Sequence, residues 1–205
     1  MTFFNLNPRR VANPVTEADF FVTYALKNPV TEDSLSHLNQ EYETELLQLQ
    51  EDFSSGNQLV KSNFLRFDHA IGLKSTESWL NQPGIAEVIR STLKEYEGSL
   101  YEIVSYTIMN DHMHLMLRLI KTKADDLVTQ WLITTTLLKD QLSHHLQPLT
   151  GIEGAMWQEE CFDLRLQDDD EMTNLLSYMM LDPVKNGLAL HWKEYPYSYI
   201  NPDLL

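Results

Sequence analysis

Alternation of apolar and polar positions marks residues 112–120 of the chain. Every odd position from 113 to 119 is apolar, whereas the even positions include two histidines and an arginine, His112, His114 and Arg118. A period of two is that of a β-strand with one face on a core, so both imidazoles are expected on the other face. Residues 100–109 predict a second strand, and Asn110–Asp111 the turn that joins the two strands as a hairpin.

Other stretches predict further strands and a set of helices. The aromatic and β-branched run at 19–26 predicts a strand, and residues 164–166 a short extended segment. Apolar spacing and capping residues predict helices over residues 31–53, 60–72, 83–98, 125–145, 168–181 and 184–190, with a break at Pro183. The helix over 125–145 is expected to bury Leu127, Trp131, Leu132, Leu138 and Leu142, with a loop from Pro148 to Gly154. The aromatic tail from residue 191 is expected to pack as a closing strap.

Length and composition limit the domain organisation and the compartment. The 205 residues suffice for one core with an appendage, or for two small domains. Two prolines and several asparagines in residues 1–17 predict a loosely attached arm. We see no apolar run of membrane-spanning length and no signal-peptide pattern, and Cys161 is the single cysteine. These features favour a cytoplasmic protein without disulfides or membrane contact.

The charge of the chain argues against a nucleic-acid-binding protein. The formal net charge is -15 and the isoelectric point is about 4.7. The acidity is uneven, however, since residues 58–121 hold seven acidic and seven basic side chains. The segment that contains both histidines is therefore locally neutral.

The histidine pair gains meaning from a second group near the C-terminus. Two histidines two residues apart on a strand can hold one divalent ion, although the motif alone is weak. Tyr178 and Asp182 lie four residues apart, so their side chains project from one face if the helix continues through Asp182. Lys185, seven residues after Tyr178, then points in nearly the same direction. A phenol, a carboxylate and an ammonium beside a metal site are a usable set for phosphodiester chemistry.

Three ordered motifs resemble the single-tyrosine HUH transposases, named for their histidine–hydrophobic–histidine strand. Residues 108–115 read Ile-Met-Asn-Asp-His-Met-His-Leu, residues 157–163 read Trp-Gln-Glu-Glu-Cys-Phe-Asp, and residues 178–188 contain Tyr-x-x-x-Asp-Pro-Val-Lys-x-Gly-Leu. The order and spacing are similar to those of the family, and the branch that looks closest is the REP-associated tyrosine transposases. The Phe-Val-Thr strand near residue 22 and the segment 79–88 extend the resemblance over nearly the whole chain.

The resemblance implies an α+β fold in which helices pack on an antiparallel sheet, the HUH endonuclease or ferredoxin-like arrangement. A single domain would span residues 18–205, with an acidic helical insertion at about 29–98. The implied activity is cleavage and rejoining of single-stranded or hairpin, palindromic DNA through a 5′-phosphotyrosine, with Mg²⁺ or Mn²⁺ as cofactor. Carried over by position, His112, His114 and Asp182 are metal ligands, and Tyr178 is the nucleophile. A monomer or a homodimer would fit.

Asp182 departs from the family, because it stands where asparagine is usual. A charged oxygen ligand should still bind a hard cation. The scarcity of bases also departs from relatives and predicts weak DNA binding, or binding confined to a narrow groove. The expected groove residues are Arg66, Lys74, Arg118, Lys121, Lys123, Arg165 and Lys185. Trp157 is expected to anchor the core, with Gln158 or Glu159 as candidates to orient the site.

Two alternatives remain open beside the strand-transfer enzyme. The first is a transposase-derived protein that binds DNA hairpins without cutting them, which the acidity would suit. The second is an α+β domain whose acidic helix docks a protein partner and whose histidines are structural. The distance between the histidines and Tyr178 separates the second alternative from the enzyme.

Overall fold

A computed structural model describes residues 17–27, 79–120, 126–159 and 161–204. Within these ranges the strands are β1 (Glu17–Ala25), β2 (Tyr101–Ile108), β3 (His112–Ile120), β4 (Phe162–Arg165) and β5 (Ser198–Ile200). The helices are α1 (Pro83–Lys94), α2 (Leu127–Thr150) and α3 (Asp169–Lys185), with a 3-10 helix at Trp192–Glu194. The predicted arm and the predicted helices over 31–53 and 60–72 lie outside the described residues.

The strands form a single antiparallel sheet in the order β4-β1-β3-β2-β5. Among the described residues, the elements from β1 to β4 occur in the order β1-α1-β2-β3-α2-β4, the ferredoxin-like succession. The predicted α+β class and the β2–β3 hairpin are confirmed. The aromatic tail contributes β5, which pairs with the outer edge of β2. Helix α1, which the sequence placed at the end of an insertion, packs on the sheet as part of this core.

The two faces of the sheet are covered by different helices. The odd residues of β3, from Met113 to Leu119, share a core with α1 and α2. On the opposite face, Met116 and Phe21 pack with the apolar side chains of α3. A helix therefore covers the face that carries His112 and His114, and both histidines are buried.

Helix α2 is longer than predicted and buries the expected stripe except at Leu132. It continues through Pro148 to Thr150 and ends at Gly151, whose φ of 69° is in the left-handed region that glycine favours. Proline so close to the end removes only one helical hydrogen bond, which explains why the predicted loop does not begin there. Leu132, expected in the core, is 59% exposed, and the buried positions include Trp131 and Leu146.

Helix α3 also passes through a proline. It runs without interruption from Asp169 to Lys185, so the predicted break at Pro183 and the predicted helix over 184–190 are wrong. Pro183 lies in the last turn, where it again removes a single hydrogen bond. Tyr178 and Asp182 consequently lie one turn apart on the same helix. Within the described ranges, no helix is both long and apolar enough to cross a membrane.

Candidate metal centre

Two residues of β3 and one of α3 bring their ligand atoms to one point between the sheet and the helix. His112, His114 and Asp182 are buried, and the three ligand atoms they offer all lie within 4.8 Å of one another. The histidines meet there because they occupy alternate positions of one strand, and Asp182 because α3 crosses that face of the sheet. The structure thus joins segments that are about 70 residues apart in the sequence.

Each imidazole is held in orientation through its Nδ1 atom. His112 Nδ1 lies 2.7 Å from Asp111 Oδ1, and His114 Nδ1 lies 2.9 Å from Thr23 Oγ1. Thr23 is in register with His114 across the β1–β3 pair, which explains the second contact. Partners of this kind fix the ring and the tautomer of metal-binding histidines. Both Nε2 atoms are therefore directed toward Asp182.

The spacing of the ligand atoms suits a small divalent ion. Asp182 Oδ2 lies 3.4 Å from His112 Nε2 and 3.6 Å from His114 Nε2. Two ligand atoms that are each about 2.1 Å from one ion lie roughly 3.0–3.4 Å apart at octahedral or tetrahedral angles. Two imidazoles and one carboxylate also leave open positions on the ion. The group can hold a metal ion with little rearrangement.

Contacts within the group shift the pKa values of His112 and Asp182 in the metal-free protein. Burial by itself lowers the pKa of His112, but hydrogen bonding to Asp111 and Asp182 outweighs burial and raises that pKa to about 10. Burial raises the pKa of Asp182, whereas the contacts with His112 and His114 lower it well below its usual range. The carboxylate is thus ionised, and His112 carries a proton at neutral pH in the metal-free protein.

Tyr178 stands next to this group on α3. Its ring meets the ring of His114 edge-on, with 5.6 Å between the centroids, and Lys185 Nζ lies 4.6 Å from the centroid of the tyrosine. The ring is half-buried and its hydroxyl oxygen is shielded from solvent. A phosphate group therefore reaches that oxygen only if the side chain turns or α3 shifts.

The structure separates the cationic residues predicted to bind DNA. Arg118 is only 3% exposed, and it forms an ion pair with Asp19, which argues against a contact with DNA. Arg165 is exposed but pairs in register with Phe20, which places it on the α2 face of the sheet, away from the histidines. Lys185 is exposed beside Tyr178. The remaining predicted residues, Arg66, Lys74, Lys121 and Lys123, lie outside the described residues.

The Trp-Gln motif lies on the other side of the sheet. Trp157 is buried in the core that α1 and α2 share with the sheet. Gln158 bonds to the end of β1, with its N–H donating to Ala25 O at 2.9 Å and its side-chain amide to Leu26 O at 3.3 Å. Leu26 N–H in turn donates to Asp111 O at 2.9 Å. Gln158 thus supports the turn before His112 from a distance, whereas Glu159 is exposed.

Sequence reasoning missed the residues that hold the ligands in place. Asp111 precedes His112 directly, and a carboxylate beside a candidate ligand was a usable signal. Thr23 gave no such signal, because its contact with His114 depends on the strand register. Asn186, which bonds to Asp182, lies four residues beyond it on the helix. That spacing was visible, but it pointed to the pair only if the helix continued past Pro183.

Comparisons with known proteins agree with the motif resemblance. A Haemophilus influenzae protein named as a REP-associated tyrosine transposase is 28% identical over 113 residues, covering 51% of this chain and 61% of the relative. The match thus spans about three fifths of that relative's length. A REP-associated tyrosine transposase solved with a bound REP hairpin shares the fold, with a TM-score of 0.53, 15% identity, and coverage of 95% of this chain and 82% of the other. No family model matches the chain.

Proposed function

Because the chain is a relative of the REP-associated tyrosine transposases, we propose that it cuts and rejoins single-stranded DNA flanking a hairpin through Tyr178. His112, His114 and Asp182 would hold Mg²⁺ or Mn²⁺. When bound, such an ion supplies a positive charge that polarises the scissile phosphate and offsets the charge that develops in the transition state.

Tyr178 supplies the nucleophile in this proposal. Its oxygen forms a bond to phosphorus while the bond from phosphorus to the 3′ oxygen breaks, and the phenolic proton is balanced by the proton that the new 3′ hydroxyl acquires. The product is a 5′-phosphotyrosine, which conserves one phosphodiester bond. A 3′ hydroxyl that attacks this linkage rejoins the strand and restores the phenol.

One observation carries the proposal. The tyrosine that the motif identifies as the nucleophile contacts His114, one of the two histidines that the motif identifies as ligands. The segments are separate in the sequence, so a structural role for either histidine would not require this neighbour. Lys185 Nζ lies over the tyrosine ring, 4.6 Å from its centroid, where an ammonium can attract a phosphate.

Specific observations favour a second function, hairpin binding without cleavage. The hydroxyl of Tyr178 is shielded, and neither Arg118 nor Arg165 joins the group around the histidines. The formal charge of -15 also opposes the tight phosphate binding on which cleavage depends. This alternative predicts metal-independent binding and no covalent product.

The experiment that separates the two uses 5′-labelled and 3′-labelled hairpin oligonucleotides with single-stranded flanks. The oligonucleotides are incubated with Mn²⁺ and the full chain, and adducts are resolved on a denaturing gel. The wild-type protein is expected to form an adduct that contains the DNA 3′ of the cut, and Tyr178→Phe is expected to reduce adduct formation by roughly a thousandfold or more. Tyr199→Phe, at an exposed tyrosine of β5, is the matched control.

An adduct formed equally well by Tyr178→Phe would overturn the assignment of the nucleophile. Hairpin binding by the wild-type protein with no adduct under any metal condition would favour the second function. Thermal melting of the metal-free variants checks that each substitution leaves the fold intact.

A further inference from the structure

The carboxylate of Asp182 has two oxygens, and they have different surroundings. Oδ2 lies 3.4 Å and 3.6 Å from the Nε2 atoms of the two histidines. Oδ1 accepts a hydrogen bond from the side-chain amide of Asn186 at 2.7 Å. The same Asn186 amide lies 3.1 Å from the backbone oxygen of Asp182, and Asn186 N–H donates to that backbone oxygen at 3.0 Å.

These contacts define how the carboxylate can turn. A carboxylate that no neighbouring group holds by a hydrogen bond can rotate to present one oxygen or both to an ion. Oδ1 is engaged by Asn186, while Oδ2 faces the imidazoles. The position four residues after Asp182 is suited to this role because α3 continues to Lys185 and Asn186 forms its C-cap.

We infer that Asn186 is a positioning residue of the metal centre, which holds Asp182 so that it binds the ion through one oxygen. This inference rests on the proposed metal binding by His112, His114 and Asp182. It goes beyond the motif resemblance, in which position 186 is variable. The residue acts through Asp182 and touches neither the ion nor the DNA.

The arrangement has a chemical consequence for the open positions of the ion. A ligand that occupies one position, in place of two, leaves an additional position for a phosphate oxygen. Asn186 itself is exposed, so water competes for its amide. Loss of a residue that bonds to a metal ligand typically weakens metal affinity about 10–100-fold. For Asn186 we expect the lower end of that range, about tenfold.

The test is titration of the 205-residue chain with Mn²⁺ in the absence of DNA. Binding is monitored by calorimetry and by the electron paramagnetic resonance signal of free Mn²⁺. Asn186→Ala removes both side-chain bonds to Asp182. Asn186→Ser keeps a short hydroxyl that can reach the backbone oxygen of Asp182 and loses the bond to the carboxylate. Asn174→Ala, at an exposed asparagine of the same helix, is the matched control.

Both Asn186 variants are expected to raise the Kd for Mn²⁺ about tenfold, while Asn174→Ala leaves it unchanged. A double-mutant cycle adds a sharper criterion, since Asn186→Ser should have no further effect in an Asp182→Ala background. Melting of the metal-free proteins distinguishes this positioning role from a helix-capping role. A capping role would lower the melting temperature of Asn186→Ala and leave the Kd for Mn²⁺ unchanged.

Equal Kd values for the wild-type protein and Asn186→Ser overturn this inference and leave the proposed function intact. The same holds if Asn186→Ser weakens binding by the same factor with and without the Asp182 carboxylate. Absence of Mn²⁺ binding to the wild-type protein overturns the proposed function and, with it, the inference.

Discussion

Arg118 and Asp19 form a two-point ion pair between neighbouring strands. Arg118 Nε lies 2.7 Å from Asp19 Oδ1, and Arg118 Nη2 lies 2.8 Å from Asp19 Oδ2. The two residues are directly opposed in the β1–β3 register, so the planar guanidinium meets the carboxylate edge with both donors. The pair lies on the face that also carries the histidines.

Removing Arg118 should therefore lower the stability of the protein more than it weakens DNA binding. Arg118→Ala leaves a largely buried carboxylate without this partner, and we expect a loss on the order of 3 kcal/mol in the free energy of unfolding. Urea denaturation measures the loss. Glu87→Ala, which breaks an exposed pair with Arg90, should cost less than about 1 kcal/mol. Unchanged stability together with weaker DNA binding would instead support the sequence-based prediction that Arg118 contacts DNA.

Lys185 should contribute to DNA affinity through charge. Its ammonium is exposed and adjacent to Tyr178, so Lys185→Met should weaken hairpin binding and reduce the slope of log K against log salt by about one. Fluorescence anisotropy at several salt concentrations measures both quantities. Lys94→Met, at an exposed lysine of α1 on the other side of the sheet, controls for net charge. Equal effects of the two variants would show that the lysine acts only through the total charge.

The stability of the metal-free protein should depend on pH through the protonation of His112. Its pKa rises from 6.5 toward about 10 on folding, so its contribution to stability is complete below about pH 6.5 and is lost as the pH rises toward 10. The difference in unfolding free energy between the wild-type protein and His112→Asn should thus be larger at pH 6 than at pH 9, by urea denaturation in a chelating buffer. A difference that does not change with pH would contradict this. Mn²⁺ affinity should rise over the same range, because the ion displaces the proton.

The alternation along β3 was enough to predict which side chains share a face. It was not enough to predict what covers that face, because periodicity describes one strand and burial depends on its neighbours. The face with His112 and His114 is covered by α3, and Met116 is as deeply buried as the leucines opposite. The fold class followed from the motifs. The three residues predicted by position to bind a metal lie together in the structure, and their role as ligands stays a prediction.

The predicted helix ends that were wrong both concern prolines, and the predicted DNA-binding cations now have different surroundings. Pro148 and Pro183 were read as ends of helices, yet each lies in a final turn, where one missing N–H costs little. Arg118 and Arg165 were grouped by charge alone. Their roles depend on the residue across the strand pair, Asp19 in one case and Phe20 in the other, and only the register gives that information.

The continuity of α3 past Pro183 links two properties of the site that a broken helix would keep apart. Tyr178 and Asp182 share one rigid segment, one turn apart. Sliding or tilting that segment moves the phenol and the carboxylate by similar amounts, so neither distance to the histidines can be adjusted alone by backbone motion. Inserting a single residue between them would rotate one relative to the other by about 100°. Natural variation at this site is therefore expected to proceed by exchanging side chains at fixed helix length.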